Sequence, residues 1–110
     1  MAKNYKQPGE VLDWTNGTGA AVTSGSGVLV GTRLGVALAD IANGATGPVQ
    51  VSGVFNLPKL AADAPAQGAV LYWDNTNKRL TVTASGNTLA GYAFLAAAAA
   101  TTTVDIKLNA

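Results

Sequence analysis

Val49 and Val51 alternate with Gln50 and Ser52, and Val104, Ile106 and Leu108 alternate with Asp105 and Lys107, the period-two pattern of strands that bury one face. Short runs rich in Val, Leu, Thr and aromatic residues recur at residues 10–14, 27–31, 48–55, 69–73, 79–83 and 104–108, each bounded by Gly, Asn, Pro or Ser. The pattern predicts an all-β chain, a small single-domain β-barrel or β-sandwich with short strands. Between two of these runs, Asp74-Asn75-Thr76-Asn77-Lys78 supplies residues that tolerate left-handed turn conformations, so residues 70–83 read as a hairpin. Asn16-Gly17 marks a second turn. At most one short helical turn is expected, near residues 57–63, where Pro58 stands close to its start and Pro65 stops it.

The stretch FLAAAAATTTV, residues 94–104, conflicts with itself, because alanines favour helix and the β-branched threonines that follow do not. The uncharged apolar run at residues 89–100 is too short for the ~20 residues that span a bilayer, so a membrane is not an expected partner. A weak internal repeat gives this stretch its place. Gly27-Val28-Leu29-Val30, residues 35–39 and Val49-Gln50-Val51 recur as residues 68–72, residues 91–95 and Val104-Asp105-Ile106, with the hairpin inserted in the second copy. In that alignment the alanines stand where residues 39–47, rich in turn formers, connect two strands. The expected organisation is an N-terminal arm at residues 1–9 and a single β domain at residues 10–110, with the repeat at about 27–53 and 68–108. Two such units would close into one barrel or sandwich and protect its edges.

Composition sharpens the picture. The chain has 110 residues, enough for one modest core, and alanine supplies 21 of them, so large apolar side chains are few. Charged residues make up 12%, about half the ~25% of ordinary soluble domains. A hydroxyl-rich surface can be soluble at that level. A surface covered by copies of itself or by a larger assembly would also carry so little charge. With a net charge of +1 and scattered lysines and arginines there is no basic stripe, so nucleic acid is not an expected partner. The first ten residues, MAKNYKQPGE, hold no apolar run behind their lysines, which gives no sign of a cleaved secretion signal and leads us to expect synthesis in the cytoplasm.

Chemistry-bearing constellations are missing from the sequence. It has no histidine and no cysteine, which removes the commonest general base, the thiolate nucleophile and the usual zinc ligands. Its carboxylates are scattered singly; Glu10 and Asp13 are close, but three residues apart on a strand they face opposite ways. Gly25, Gly27, Gly31 and Gly35 lack the Gly-Lys-Ser/Thr ending of a phosphate loop and are expected to serve bulges and tight turns. Trp14, Tyr72, Trp73 and Tyr92 have no cations around them and are expected to anchor the core rather than stack on bases. No catalytic residue, cofactor or metal is assigned, and the chain is not expected to be an enzyme.

Tyr5-Lys6-Gln7-Pro8-Gly9, Leu57-Pro58-Lys59, the segment GAVLYWD at residues 68–74, and Gly91-Tyr92-Ala93 followed by an alanine run and the closing Val104-Asp105-Ile106-Lys107-Leu108 resemble a family of small tailed-phage and prophage proteins. Its members are labelled either recombinase-like or capsid cement. The recombinase label implies a nucleotide site that this sequence lacks. The cement resemblance, which covers essentially the whole chain, implies a decoration protein on the outer surface of the phage head, bound to the major capsid protein and bridging capsomers. It agrees with the self-association that the low charge suggests, for which a homotrimer is expected, with a dimer as the alternative. The candidate docking arm is Lys3, Asn4, Tyr5, Lys6 and Gln7, and the candidate subunit contact is Ala96, Ala97, Ala98, Ala99 and Ala100. A second class remains open: a minor virion or tail-associated β-barrel that binds a host surface ligand.

Overall fold

In the computed structural model, which describes residues 10–108, the chain forms nine strands joined by turns and is all-β. They are β1 (Val11–Thr15), β2 (Gly27–Val30), β3 (Arg33–Ala37), β4 (Thr46–Gln50), β5 (Val54–Pro58), β6 (Val70–Asp74), β7 (Arg79–Thr81), β8 (Thr88–Ala93) and β9 (Thr103–Leu108). Two antiparallel sheets result, a smaller one in the order β1-β4-β3-β2 and a larger one in the order β5-β9-β8-β6-β7. The larger sheet curls until the end of β5 reaches β7, where Lys59 bridges Leu80 in parallel and the Leu60 amide donates to the Leu80 carbonyl at 2.8 Å.

Several local expectations change. The run at residues 48–55 is not one strand. It breaks after Gln50, turns through Gly53 at φ +106°, and restarts as β5 in the other sheet, so a single apolar run serves both layers. At residues 57–63 no helix forms, because Leu57 and Pro58 complete β5 and only a tight turn remains, with the Asp63 amide donating to the Leu60 carbonyl at 3.1 Å. Leu57 is instead a core residue, paired opposite Val104. β3 and β8 are full strands in stretches that entered the sequence reading only through the repeat. The hairpin at residues 70–83 forms as expected, with Lys78 at φ +54° in its turn.

The inner face of the larger sheet contributes Leu57, Leu71, Trp73, Leu80, Ile106 and Leu108 to the main core, and Leu34 and Val36 of β3 close it from the smaller sheet. With so few large side chains available, the two sheets must approach closely somewhere. They do so where the indole of Trp73, 1% exposed, lies on the bare backbone of Gly27 in β2. A Cβ at Gly27 would stand 2.8 Å from the ring carbon Cη2, closer than carbon atoms pack. The indole N–H is not stranded, since it donates to Asn75 Oδ1 at 3.2 Å.

The smaller sheet also buries its other face. Val28, Ala37 and Val49 gather there with Leu12 and Trp14, under Ile41 and Val22 from the long connections. Gly35 and Gly47 again allow direct contact, because a Cβ on either would come within 2.6 Å of Val49 or Ile41 respectively. Gly27 and Gly35 are therefore packing positions within strands and not turn residues, whereas Gly25 and Gly31, at φ +86° and +60°, do sit in turns. Asn16 fastens the covering connections. Fully buried, its amide donates to the carbonyls of Ala20 at 2.8 Å and Ile41 at 3.0 Å, and its Oδ1 accepts from the amide and hydroxyl of Thr18. Every polar atom of that side chain is satisfied, as burial requires.

Two expectations follow for stability. Gly27→Ala should cost about 1–3 kcal/mol by overpacking against Trp73, and Trp73→Ala about 3–5 kcal/mol, both read by equilibrium urea unfolding. An unchanged midpoint for Gly27→Ala would contradict the sheet-to-sheet contact. In the β6–β7 turn, Asp74 accepts from the Asn77 side chain at 2.8 Å and from the amides of Asn77 and Thr76, and these bonds hold its carboxyl below the ordinary range. Because folding favours the carboxylate, the turn is most stable above the unfolded carboxyl value of ~3.9 and loses that contribution as pH falls through the lower folded value. An NMR titration should find Asp74 titrating below ~3.9, with the Asn77 amide shift following it.

Candidate functional site

The outer face of the larger sheet is built by register. Val54 of β5 stands opposite Lys107 of β9, Lys107 opposite Tyr92 of β8, and Tyr92 opposite Val70 of β6, so these four form one row across four strands. Directly paired residues share a face, which makes the row a surface feature and not a coincidence of exposure. Val54, Tyr92 and Val70 are all exposed, Tyr92 at 43% and Val70 at 49%. A second row holds Asn56 opposite Asp105, with Phe94 beyond, whose amide donates to the Asp105 carbonyl at 2.8 Å. Toward the other end Leu89 stands opposite the half-buried Tyr72.

Leu89 and Tyr92 are three residues apart and in an unbroken strand would point opposite ways. The pairing of β6 and β8 shifts between Leu71 and Tyr72, leaving Ala90 as an extra residue beside Gly91, and this bulge returns Leu89 to the outer face. Tyr92 is thus not a core anchor, in contrast to Trp73, and Trp14 lies half-buried against the second cluster.

Polar groups on this face are few. Asn56 donates to Asp105 Oδ1 at 2.9 Å, and Lys107 Nζ donates to the Leu108 carbonyl at 3.1 Å. Lys107 lies half-buried, with its stem along the row between Val54 and Tyr92. The face therefore offers apolar area with Asp105 and Lys107 two residues apart on β9 and a second pair of opposite charges, Asp74 facing Arg79, at its β6–β7 end.

The alanine run continues this surface. Phe94 and Leu95 are exposed, and Ala96, Ala97, Ala98, Ala99 and Ala100 form the connection from β8 to β9, all of them exposed except Ala97, which packs against the core. The connection is held rather than loose. Ala97 donates its amide to the Pro65 carbonyl at 3.0 Å, Ala100 donates to the Ala61 carbonyl at 2.7 Å, and Thr101 Oγ1 donates to the Ala98 carbonyl. Ala100 takes φ +72°, an uncommon conformation for a residue with a Cβ. A depression of about 250 Å³ lies between Leu95, Ala96, Ala98 and the Asn56–Asp105 pair. The proposed arm residues Lys3, Asn4, Tyr5, Lys6 and Gln7 lie outside the described residues.

Pairing supplied no sequence signal for this face beyond Gly91, whose place inside a strand is the usual mark of a bulge. Since Val70 and Tyr92 project away from the core, Val70→Thr and Tyr92→Ser should each shift unfolding stability by no more than about 0.5–1 kcal/mol, whereas Leu71→Ala, one residue along β6, should cost about 2–5 kcal/mol. Differential scanning calorimetry of the three variants checks the assignment of faces.

A family model for phage cement proteins matches residues 6–108 of this sequence. No curated protein and no solved structure matches it.

Proposed function

We infer the role of this chain from the family to which it belongs, the phage cement proteins, structural components of the phage capsid. It is a decoration protein that binds the outer surface of the head and stabilises the shell by bridging neighbouring capsomers, with the major capsid protein as its partner and no catalytic activity of its own. The match across residues 6–108 carries this reading. The surface chemistry supports it, because an exposed apolar row on a chain with 12% charged residues is costly unless something covers it.

Copies of the protein associate through the outer face of the larger sheet and its continuation into Ala96–Ala100. Alanine loses no side-chain freedom on being covered, so such a loop makes contact at little entropic cost. A homotrimer is the first arrangement to test and a dimer the second, since one self-complementary face can pair with itself. Residues Lys3, Asn4, Tyr5, Lys6 and Gln7 dock on the shell. An oligomer that touches several shell subunits at once gains avidity over any single contact, by as much as ~10²–10⁴-fold.

Purified protein should bind saturably to mature, expanded heads lacking it and sediment with them, at a stoichiometry equal to one class of symmetry position. Unexpanded proheads should leave it in the supernatant. Tyr92→Lys should weaken both self-association in sedimentation equilibrium and head binding, without a loss of folded structure. Absence of binding to either particle removes the decoration reading.

A further inference from the structure

The smaller sheet ends in β2, and that edge opens into a cleft. Ala37 donates its amide to the Ser26 carbonyl at 3.0 Å, which turns Ser26 toward β3; alternation then turns Val28 and Val30 toward β3 and Gly27 and Leu29 away from it. The backbone N–H and C=O of Gly27 and Leu29 have no hydrogen-bond partner among the described residues. They lie at a cleft of about 620 Å³ that Val22, Thr23, Pro58, Trp73, Asn75 and Lys78 also line. Unpaired strand edges are ordinarily blunted by a charge, a proline or a covering loop. This one carries none of these along its four residues, GVLV.

We propose that this cleft takes an extended segment of the shell's capsid protein, which adds as a fifth strand to the smaller sheet alongside β2. The proposal rests on the decoration reading and names its second point of contact. Two features select the occupant. The two outward residues of β2 offer donors and acceptors at the spacing of a ladder, which an extended backbone matches and a globular surface does not. Among the described residues the only charge lining the cleft is the Lys78 ammonium, which also donates to Asn75 Oδ1 at 2.8 Å, so the segment carries an acidic group near the β6–β7 turn and small or apolar side chains elsewhere. At ~3.3 Å per residue, β2 has room to pair with about four residues of the added strand. Because this edge belongs to the smaller sheet and the apolar row to the larger one, each copy holds the shell and its neighbours through different surfaces.

Hydrogen exchange on the head itself tests the assignment. Protein in solution and protein bound to expanded heads lacking it are pulsed with deuterium, released, and read at single residues by mass spectrometry. In solution Gly27 and Leu29 should exchange fast while Val28 and Val30 are protected. On the head, Gly27 and Leu29 should slow by about a hundredfold or more, since a paired amide exchanges only when the added strand lets go. Bound protein whose Gly27 and Leu29 amides still exchange at the free rate overturns the added strand and leaves the decoration reading standing. Protection that arises without heads, on raising the protein concentration alone, assigns the edge to a second copy and overturns the shell segment as occupant. Failure to bind heads removes the decoration reading and this inference with it.

Discussion

The contact between Trp73 and Gly27 sets the spacing on which the rest of the molecule depends. In a chain rich in alanine, one indole must fill the space between sheets that several leucines would fill elsewhere, and it can do so only against a strand with no side chain at that point. Once the ring is seated, Leu34 and Val36 of β3 meet the inner residues of the larger sheet, and the main core closes. The same economy recurs on the far side of the smaller sheet, where Val49 and Ile41 rest on Gly35 and Gly47. Close packing of small residues replaces volume with proximity, which is how a thin core reaches the density of a folded interior.

With the inner face of the larger sheet and both faces of the β2–β3 part of the smaller sheet buried, the outer face of the larger sheet is left without cover, as is the row of Val11, Asp13 and Thr15 on β1. The apolar row of the larger sheet exists because register puts Val54, Tyr92 and Val70 in line, and because the bulge at Ala90–Gly91 brings Leu89 back to them. Under the proposed role the low charge of the chain and this face belong together, since a covered surface needs few charges. Membership of the cement family makes a capsid assembly the proposed source of that cover, and the alanine connection, tied to Pro65 and Ala61, extends the same surface past the sheet edge.

Much of this was legible in the residues. Alternation at residues 104–108, turn chemistry at Asp74–Lys78 and the alignment of the alanine run with residues 39–47 led to the strands, the hairpin and the connection that the structure contains. The break in the run at residues 48–55 was harder to read, because Val51, Gly53 and Phe55 keep the alternation while Gly53 redirects the chain between sheets. Periodicity records which residues are apolar and not which sheet they join. The outer face was hidden for a related reason: exposure of Tyr92 and Val70 depends on partners 22 residues apart in sequence, and only pairing shows that they stand side by side. Glycines posed the reverse problem, since Gly27 and Gly35 look like turn residues until the side chain that lies on each is known.

The most direct measurement is a cryo-electron microscopy reconstruction of decorated heads at a resolution that traces strands. The account predicts that the row formed by Val54, Tyr92 and Val70 lies buried against a neighbouring copy at every occupied position. A density in which that row faces bulk solvent on the fully decorated shell would contradict it.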